Sequence, residues 1–358
     1  NMTQFLSRKA QSIEPYVAGE QPMTQDLIKL NTNENPYPPS PRVAEAVASQ
    51  VGSLRLYPEI DCETLRKIIA AREGLSPDQV FLGNGSDEVL SLSFPAFFNP
   101  DEPVRFPSVT YSFYKVYAEL FGIPYQTVPM KQGFAVDVDA LTEGSGGVIL
   151  ANPNAPTTIQ LPLDVIEKLA QRQLEKGKVL LVDEAYVSFG DQPSAATLVN
   201  RYPNLVVTRT MSKDHSLAGL RVGYALAQHP LIEGLCNVKD SFNSYPVDRL
   251  AIAGASASLR DEEYFQTHLE MVKKTRQTFT EELRARGFET PDSSANFVFT
   301  KPCGIEGKKL FDELRKRNIL VRRWNDPQIS EWLRITIGTD EQMAKVIRAI
   351  DEIIRKNV

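Results

Sequence analysis

Lys213 is the residue whose setting in this chain most narrowly suggests chemistry. It follows Ser212 at the end of a β-rich segment, and Leu217-Ala218-Gly219-Leu220-Arg221 comes shortly after it. An amine that is to condense with a carbonyl as a Schiff base needs a loop, a desolvated surrounding and a neighbouring cation that lowers its pKa. Arg221 can be that cation while also gripping a phosphate as a two-pronged donor. A Ser-Lys pair alone is ordinarily a surface feature, so the reading depends on matching parts elsewhere in the chain.

Three further corners supply them. Lys178-Val-Leu-Leu-Val-Asp183-Glu184-Ala185-Tyr186 reads as a buried parallel strand with an acidic pair at its C-terminal end. Ligands of open α/β sheets collect at that edge, and a buried carboxylate there requires a cation. The protonated pyridine nitrogen of pyridoxal phosphate is such a cation; Asp183 would keep it protonated so that the ring acts as an electron sink. Tyr186 is spaced to donate to the ring's phenolic oxygen. Taken alone, the acidic pair reads equally well as a helix cap or a metal ligand. The second corner is a strand running from Gly147 into the turn Asn152-Pro153-Asn154-Ala155-Pro156-Thr157-Thr158, where at least one asparagine holds the turn by bonding its own backbone. The third is Val80-Phe-Leu-Gly83-Asn84-Gly85-Ser86-Asp87, a strand meeting a glycine-rich corner from which a helix opens with Ser86 as the expected N-cap. Free N–H groups and the positive end of the helix dipole make Gly85, Ser86 and Asp87 an anion site.

With these corners in this order, the chain resembles the pyridoxal-phosphate enzymes that share the aspartate aminotransferase fold, and within them the histidinol-phosphate aminotransferases. The resemblance runs nearly end to end, through Leu30-Asn-Thr-Asn33-Glu34-Asn35-Pro36, Tyr57-Pro58, Gly83–Asp87, Pro107–Tyr114, Asn152–Pro156, Asp183–Tyr186, Ser212–Arg221, Ala295-Asn296-Phe-Val298 and Leu333-Arg334-Ile-Thr-Ile-Gly338. It implies that Lys213 carries the cofactor as a Schiff base and shuttles a proton. It also implies that Asp183 pairs with the ring nitrogen, Tyr186 and Asn154 with the phenolic oxygen, and that Tyr111 stacks on the ring. Gly85, Ser86, Asp87, Ser212 and Arg221 would hold the phosphate, joined by Tyr57 from the neighbouring subunit of a homodimer. Arg322 and Arg334 would bind the anionic end of the substrate, with Tyr16 and the Asn33-Glu34 segment closing over it. The implied reaction takes histidinol phosphate and 2-oxoglutarate to imidazole acetol phosphate and glutamate, a cytoplasmic step of histidine biosynthesis.

The chain departs from that family pattern in three ways. Ala155 stands where the family often has a second asparagine. Thr158 stands where it has glycine, which predicts a different backbone conformation because β-branched residues avoid positive φ. Asp214-His215 follows Lys213 in place of a small and aromatic pair, and a carboxylate there raises the lysine's pKa unless His215 or Arg221 takes up its charge. Sequence leaves open which of Arg322 and Arg323 turns inward and which pairs with Asp326.

The remaining features frame the site. At 358 residues, 42% hydrophobic and 24% charged, the chain can bury a large core. The expected organisation is an arm over 1–40, a large α/β cofactor-binding domain with a mostly parallel sheet over 41–245, and a long helical passage leading into a small α+β domain over 246–358. The closing helix is expected to start at Thr339 with Gln342 completing a capping box. A net charge of −5 argues against a nucleic-acid or anionic-membrane surface. Cys62, Cys236 and Cys303 lie far apart and His215, His229 and His268 form no metal spacing, so no metal is expected and the thiols read as reduced. No apolar run reaches membrane length, and no signal-peptide segment is expected at the N-terminus. Other readings stay open: a lyase or decarboxylase on the same fold, such as one acting on threonine phosphate, an aromatic amino acid aminotransferase, or a cofactor-binding module of a regulator.

Overall fold

In the computed structural model of the chain, which describes residues 2–357, a seven-stranded sheet forms the centre. Its strands lie side by side in the order Val80–Gly83, Gly223–Leu226, Leu205–Thr210, Leu180–Asp183, Val148–Ala151, Val104–Pro107 and Tyr125–Val128. Only Gly223–Leu226 runs antiparallel to its neighbours; the remaining pairs are parallel. Every residue of Val148–Ala151 and Leu180–Asp183 is buried, as expected of parallel strands covered on both faces. The faces alternate residue by residue: Val148, Leu150, Leu180 and Val182 join one core with Leu65, Ile166 and Ala255, whereas Ile149, Ala151 and Leu181 join another with Phe94, Tyr114 and Ile232. Helix Leu163–Glu175 closes one side by burying Ile166, Leu169, Ala170 and Gln173 at helical spacing.

The passage after residue 246 is two helices, Arg249–Arg260 and Glu262–Ala285, divided at Asp261, whose side chain accepts from the Tyr264 N–H and caps the second. The second helix leads to a third core, where Phe279, Val298, Leu310, Leu333, Val346 and Ile350 pack together around the antiparallel strands Phe297–Thr300 and Leu333–Thr336. The closing helix Asp340–Asn357 has the expected box, Thr339 N–H to Gln342 Oε1 at 2.9 Å and Gln342 N–H to Thr339 Oγ1 at 3.2 Å. Residues before 40 are more ordered than a plain arm: Ser7 caps a short helix, Arg8–Ser12, and Ile28–Lys29 pairs in parallel with Ile319–Leu320. Among the described residues no helix is long and apolar enough to cross a membrane, and no group of three His, Cys, Asp or Glu side chains could hold a metal ion.

Candidate active site

A cavity of about 230 Å³ opens beyond the C-terminal ends of the parallel strands. Ala151, Asp183 and Thr210 bring three adjacent strands to its wall, Lys213 and Ser212 follow from the loop after Thr210, and Tyr16, Ala18 and Gly19 of the N-terminal segment also line it. Asp183 is only 5% exposed, and burial pushes its carboxyl up to about 6. Its partners are neutral donors, Tyr114 Oη at 2.6 Å and the Ala185 N–H at 3.2 Å. Glu184 turns the other way, into a buried pair with Arg209 at 2.9 Å supported by Ser194 and the Ala195 N–H. The acidic pair therefore divides, with one carboxylate kept for the cavity and one spent on the scaffold.

Lys213 Nζ lies in the cavity wall and donates to the Thr32 carbonyl at 2.8 Å. Burial, with Arg334 as the next contributor, lowers its pKa to about 8. Asn35 Nδ2 grips the Lys213 carbonyl at 3.0 Å, so the Leu30–Pro36 segment fixes both ends of the residue. The neighbouring carboxylate does not act as its sequence position suggests. Asp214 points away to accept from Ser188 Oγ at 2.7 Å, and His215, held uncharged by burial, bonds Ser258 and stacks on Phe265. Asp214 is not among the groups that set the lysine's pKa.

The glycine-rich corner is built differently from the expected cap. Gly85, at φ 84°, is the N-cap, and Ser86 is the first residue of helix Ser86–Phe97. Glycine suits that left-handed φ, and a Cβ there would also meet Arg221 Nη2 at 2.5 Å. At Gly223 a Cβ would lie 2.3 Å from the Ser86 nitrogen, so the two glycines let a guanidinium and a helix start converge. The N–H groups of Ser86 and Asp87 belong to the first helical turn, which has no intrahelical acceptors. Ser86, Asp87, Ser212 and Arg221 all line the cavity. Tyr111 lines it too, with Oη donating to Asp87 Oδ1 at 2.8 Å. Tyr186 Oη accepts from Asn33 Nδ2 at 2.9 Å, which leaves the phenol's own proton for another acceptor.

Two expectations for the Asn-Pro turn fail. Asn154 is 2% exposed, its Nδ2 donates to Val109 O at 2.9 Å and Thr157 Oγ1 at 2.8 Å, and its Oδ1 accepts from Thr110 at 2.7 Å. Asn152 likewise spends its amide on both backbone groups of Leu161. Both asparagines satisfy a buried loop that would otherwise hold unpaired polar groups, and Ala155 takes the place at the cavity wall. Thr158 keeps the left-handed conformation, φ 70°, despite its branched side chain. Bonds from its N–H to Asn154 O at 2.8 Å and from the Ser294 N–H to its carbonyl at 3.1 Å hold it there.

The remaining candidates divide. Asn33, Tyr16 and Arg334 face the cavity, Tyr16 stacked on Phe113 at 4.2 Å. Arg322 lies outside its lining beside Arg334, bonded through Nη2 to Val17 O at 2.8 Å, and Arg323 turns to Ser330 O at 2.8 Å rather than to Asp326. Tyr57 is 77% exposed and away from this cavity, its ring stacked on Tyr245. Sequence reasoning missed Tyr114 and the Thr32 carbonyl. Tyr114 lies three residues after Tyr111, in the first turn of helix Phe113–Phe121, a position that could have found it, whereas a backbone carbonyl leaves no mark in the sequence.

The model of the aminotransferase class I and II family matches residues 25–350. A histidinol-phosphate aminotransferase from Acinetobacter baumannii (strain AB307-0294) is 49% identical over 352 residues, covering 97% of each chain. Histidinol-phosphate aminotransferase 1 of Hydrogenovibrio crunogenus is 48% identical over 355 residues, covering 99% of each. The crystal structure of a histidinol-phosphate aminotransferase from Sinorhizobium meliloti, in complex with pyridoxal-5'-phosphate, superimposes with a TM-score of 0.84 at 25% identity over 92% of each chain. The chain belongs to the aminotransferase class I and II family, among its histidinol-phosphate aminotransferases.

Proposed function

We propose that the chain is a pyridoxal-phosphate-dependent aminotransferase that transfers the amino group of histidinol phosphate to 2-oxoglutarate, acting as a cytoplasmic homodimer. The observation that carries this reading is a single cavity holding a buried carboxyl near 6, a lysine near 8 and a helix-start anion corner beside Arg221. These residues fit the cofactor. Asp183, buried with neutral donors only, is stabilised as a carboxylate by a pyridinium; Ser86, Asp87, Ser212 and Arg221 suit a phosphate; and Gly85 and Gly223 leave no Cβ in its cradle.

When bound, pyridoxal phosphate supplies an electron sink for the bond broken at the donor's α-carbon. The protein does the rest. Lys213 would hold the cofactor through Nζ, and as a free amine it would take the proton from that carbon; a pKa near 8 would keep a usable neutral fraction for this at physiological pH. Tyr186, its oxygen already bonded by Asn33, would donate its proton to the cofactor's phenolic oxygen. Tyr111 and Asp183 line the same cavity, where Tyr111 would cover the cofactor's ring and Asp183 would keep its ring nitrogen protonated. Arg334, with Arg322 beside it, binds the donor's phosphate and then a carboxylate of the acceptor, while Tyr16 and the Asn33 segment exclude water. Tyr57 completes the phosphate site of a second copy. It stands in an exposed apolar stretch with Leu54, Leu56 and Ile60 and stacks on Tyr245, a surface suited to burial between subunits. Residues 41–245 form the cofactor unit and 246–358 the unit that carries the arginines.

Turnover with purified holoenzyme tests the reading. Histidinol phosphate is consumed only when 2-oxoglutarate is present and is preferred over histidinol, phenylalanine and threonine phosphate. Release of carbon dioxide from threonine phosphate without a keto acid, or a preference for phenylalanine, would contradict it.

A further inference from the structure

Arg322 and Arg334 form a short antiparallel bridge, with their N–H groups bonding each other's carbonyls at 3.0 and 2.9 Å. Directly opposed residues of such a pair project to the same side, so two cations are brought together. Their hydrogen-bond partners are backbone carbonyls, Val17 O for Arg322 and Asn31 O for Arg334 at 2.8 and 2.6 Å, and Arg334 Nε is buried with no partner. Both guanidinium carbons lie over the same indole: Trp324, with its ring centroid 5.4 Å from Arg322 Cζ and 5.2 Å from Arg334 Cζ. The ring packs against the apolar group of Val109, Phe299, Ile329 and Trp332, so its position is set independently of the arginines.

We propose that Trp324 is the positioning residue that holds Arg322 and Arg334 together as one clamp for a phosphate dianion. The negative face of the indole attracts both cations and offsets their mutual repulsion without occupying a hydrogen-bond donor. A carboxylate partner would neutralise the pair and compete with the substrate; an aromatic ring leaves the N–H groups free. A phosphate carries enough oxygens to replace both backbone carbonyls at once and to reach the unpartnered Arg334 Nε. Trp324 thus sets selectivity for phosphorylated donors, an inference that rests on the substrate proposed above.

The test uses the holoenzyme and its Trp324→Leu and Trp324→Phe variants. Loss of one charge-assisted contact corresponds to roughly tenfold or more in affinity. We expect KM for histidinol phosphate in Trp324→Leu to rise by that factor with kcat changed less than about threefold, and Trp324→Phe to recover most of the loss. The inhibition constant of inorganic phosphate should rise in parallel. An independent arm needs no Trp324 variant: Trp332→Phe leaves Trp324 as the sole indole of a chain with two, and inorganic phosphate should change its emission saturably. An unchanged KM in Trp324→Leu, equal losses in the Leu and Phe variants, or emission unmoved at phosphate concentrations that inhibit would overturn the proposal. If Trp324→Leu does not fold, the Phe variant and the emission titration decide. If the native enzyme does not turn over histidinol phosphate, the substrate reading fails, whereas a phosphate-dependent emission change would still uphold the clamp.

Discussion

The two ends of the cavity are constructed on different principles. At the sheet end, Asp183 closes a strand buried at every position, Tyr114 is wholly buried behind it, and Gly223 sets the helix start by its close approach to the Ser86 backbone. At the arginine end, Arg334 and Arg322 hang from carbonyls of the arm and its neighbouring segment, Asn31 and Val17, and one guanidinium nitrogen has no partner. The first end is preorganised by core packing, the condition under which electrostatic stabilisation costs no rearrangement during reaction. The second is held by provisional acceptors that an incoming anion displaces. A cofactor that stays and substrates that alternate call for these two constructions.

Substitutions at the rigid end should show the largest effects. Lys213→Ala is expected to lower turnover by roughly ten-thousandfold or more, since both the attachment point and the proton carrier are lost. It should still bind pyridoxal phosphate noncovalently, because the Asp183 and phosphate-corner contacts remain; equilibrium dialysis with absorbance checks this, and a variant unable to bind would show that the lysine, not the wall, provides the affinity.

The lysine's pKa gives the next effect. A lowered pKa leaves the amine protonated below about 8 and neutral above it. Relative to an ordinary lysine at 10.5, the neutral fraction near pH 7 is larger by about 300-fold, following the difference of 2.5 pH units. Attachment of pyridoxal phosphate to cofactor-free protein should accelerate about tenfold per pH unit below 8 and level off above it. A rate still climbing at pH 10 would contradict the burial argument.

Asp183→Asn is expected to reduce turnover roughly hundredfold or more while weakening cofactor binding only moderately, because a neutral amide cannot hold the ring-nitrogen proton. Near-native turnover would make the carboxylate a mere partner for Tyr114. The smallest effect concerns the turn beneath the site. With Thr158 at φ 70°, Thr158→Gly should be more stable than Thr158→Ala by about 1 kcal/mol, the reverse of the usual order, because only glycine adopts that conformation freely. Thermal melts of the pair decide it, and equal midpoints would mean that the turn relaxes.

Legibility in the sequence follows the same division. Asp183, Lys213 and Arg221 were readable because apolar runs fixed their strands and the strand ends fixed the cavity. Residues whose position depends on a loop satisfying itself were not. Asn154 has the right type for a ligand yet is consumed by Val109, Thr157 and Thr110, and Asp214 is drawn to Ser188 by geometry that chain order does not show. Ser86 has the favoured N-cap residue type, but the left-handed backbone of Gly85 puts the cap one residue earlier and makes Ser86 the first helical residue. Trp324 carried no signal because its role arises only where the Arg322–Arg334 bridge brings two guanidinium groups over one ring.

The most direct test of the preorganised wall is borohydride reduction of the holoenzyme followed by peptide mapping. The pyridoxyl mass is expected on Lys213 alone; the label on any other lysine, or none on Lys213, would contradict the assignment.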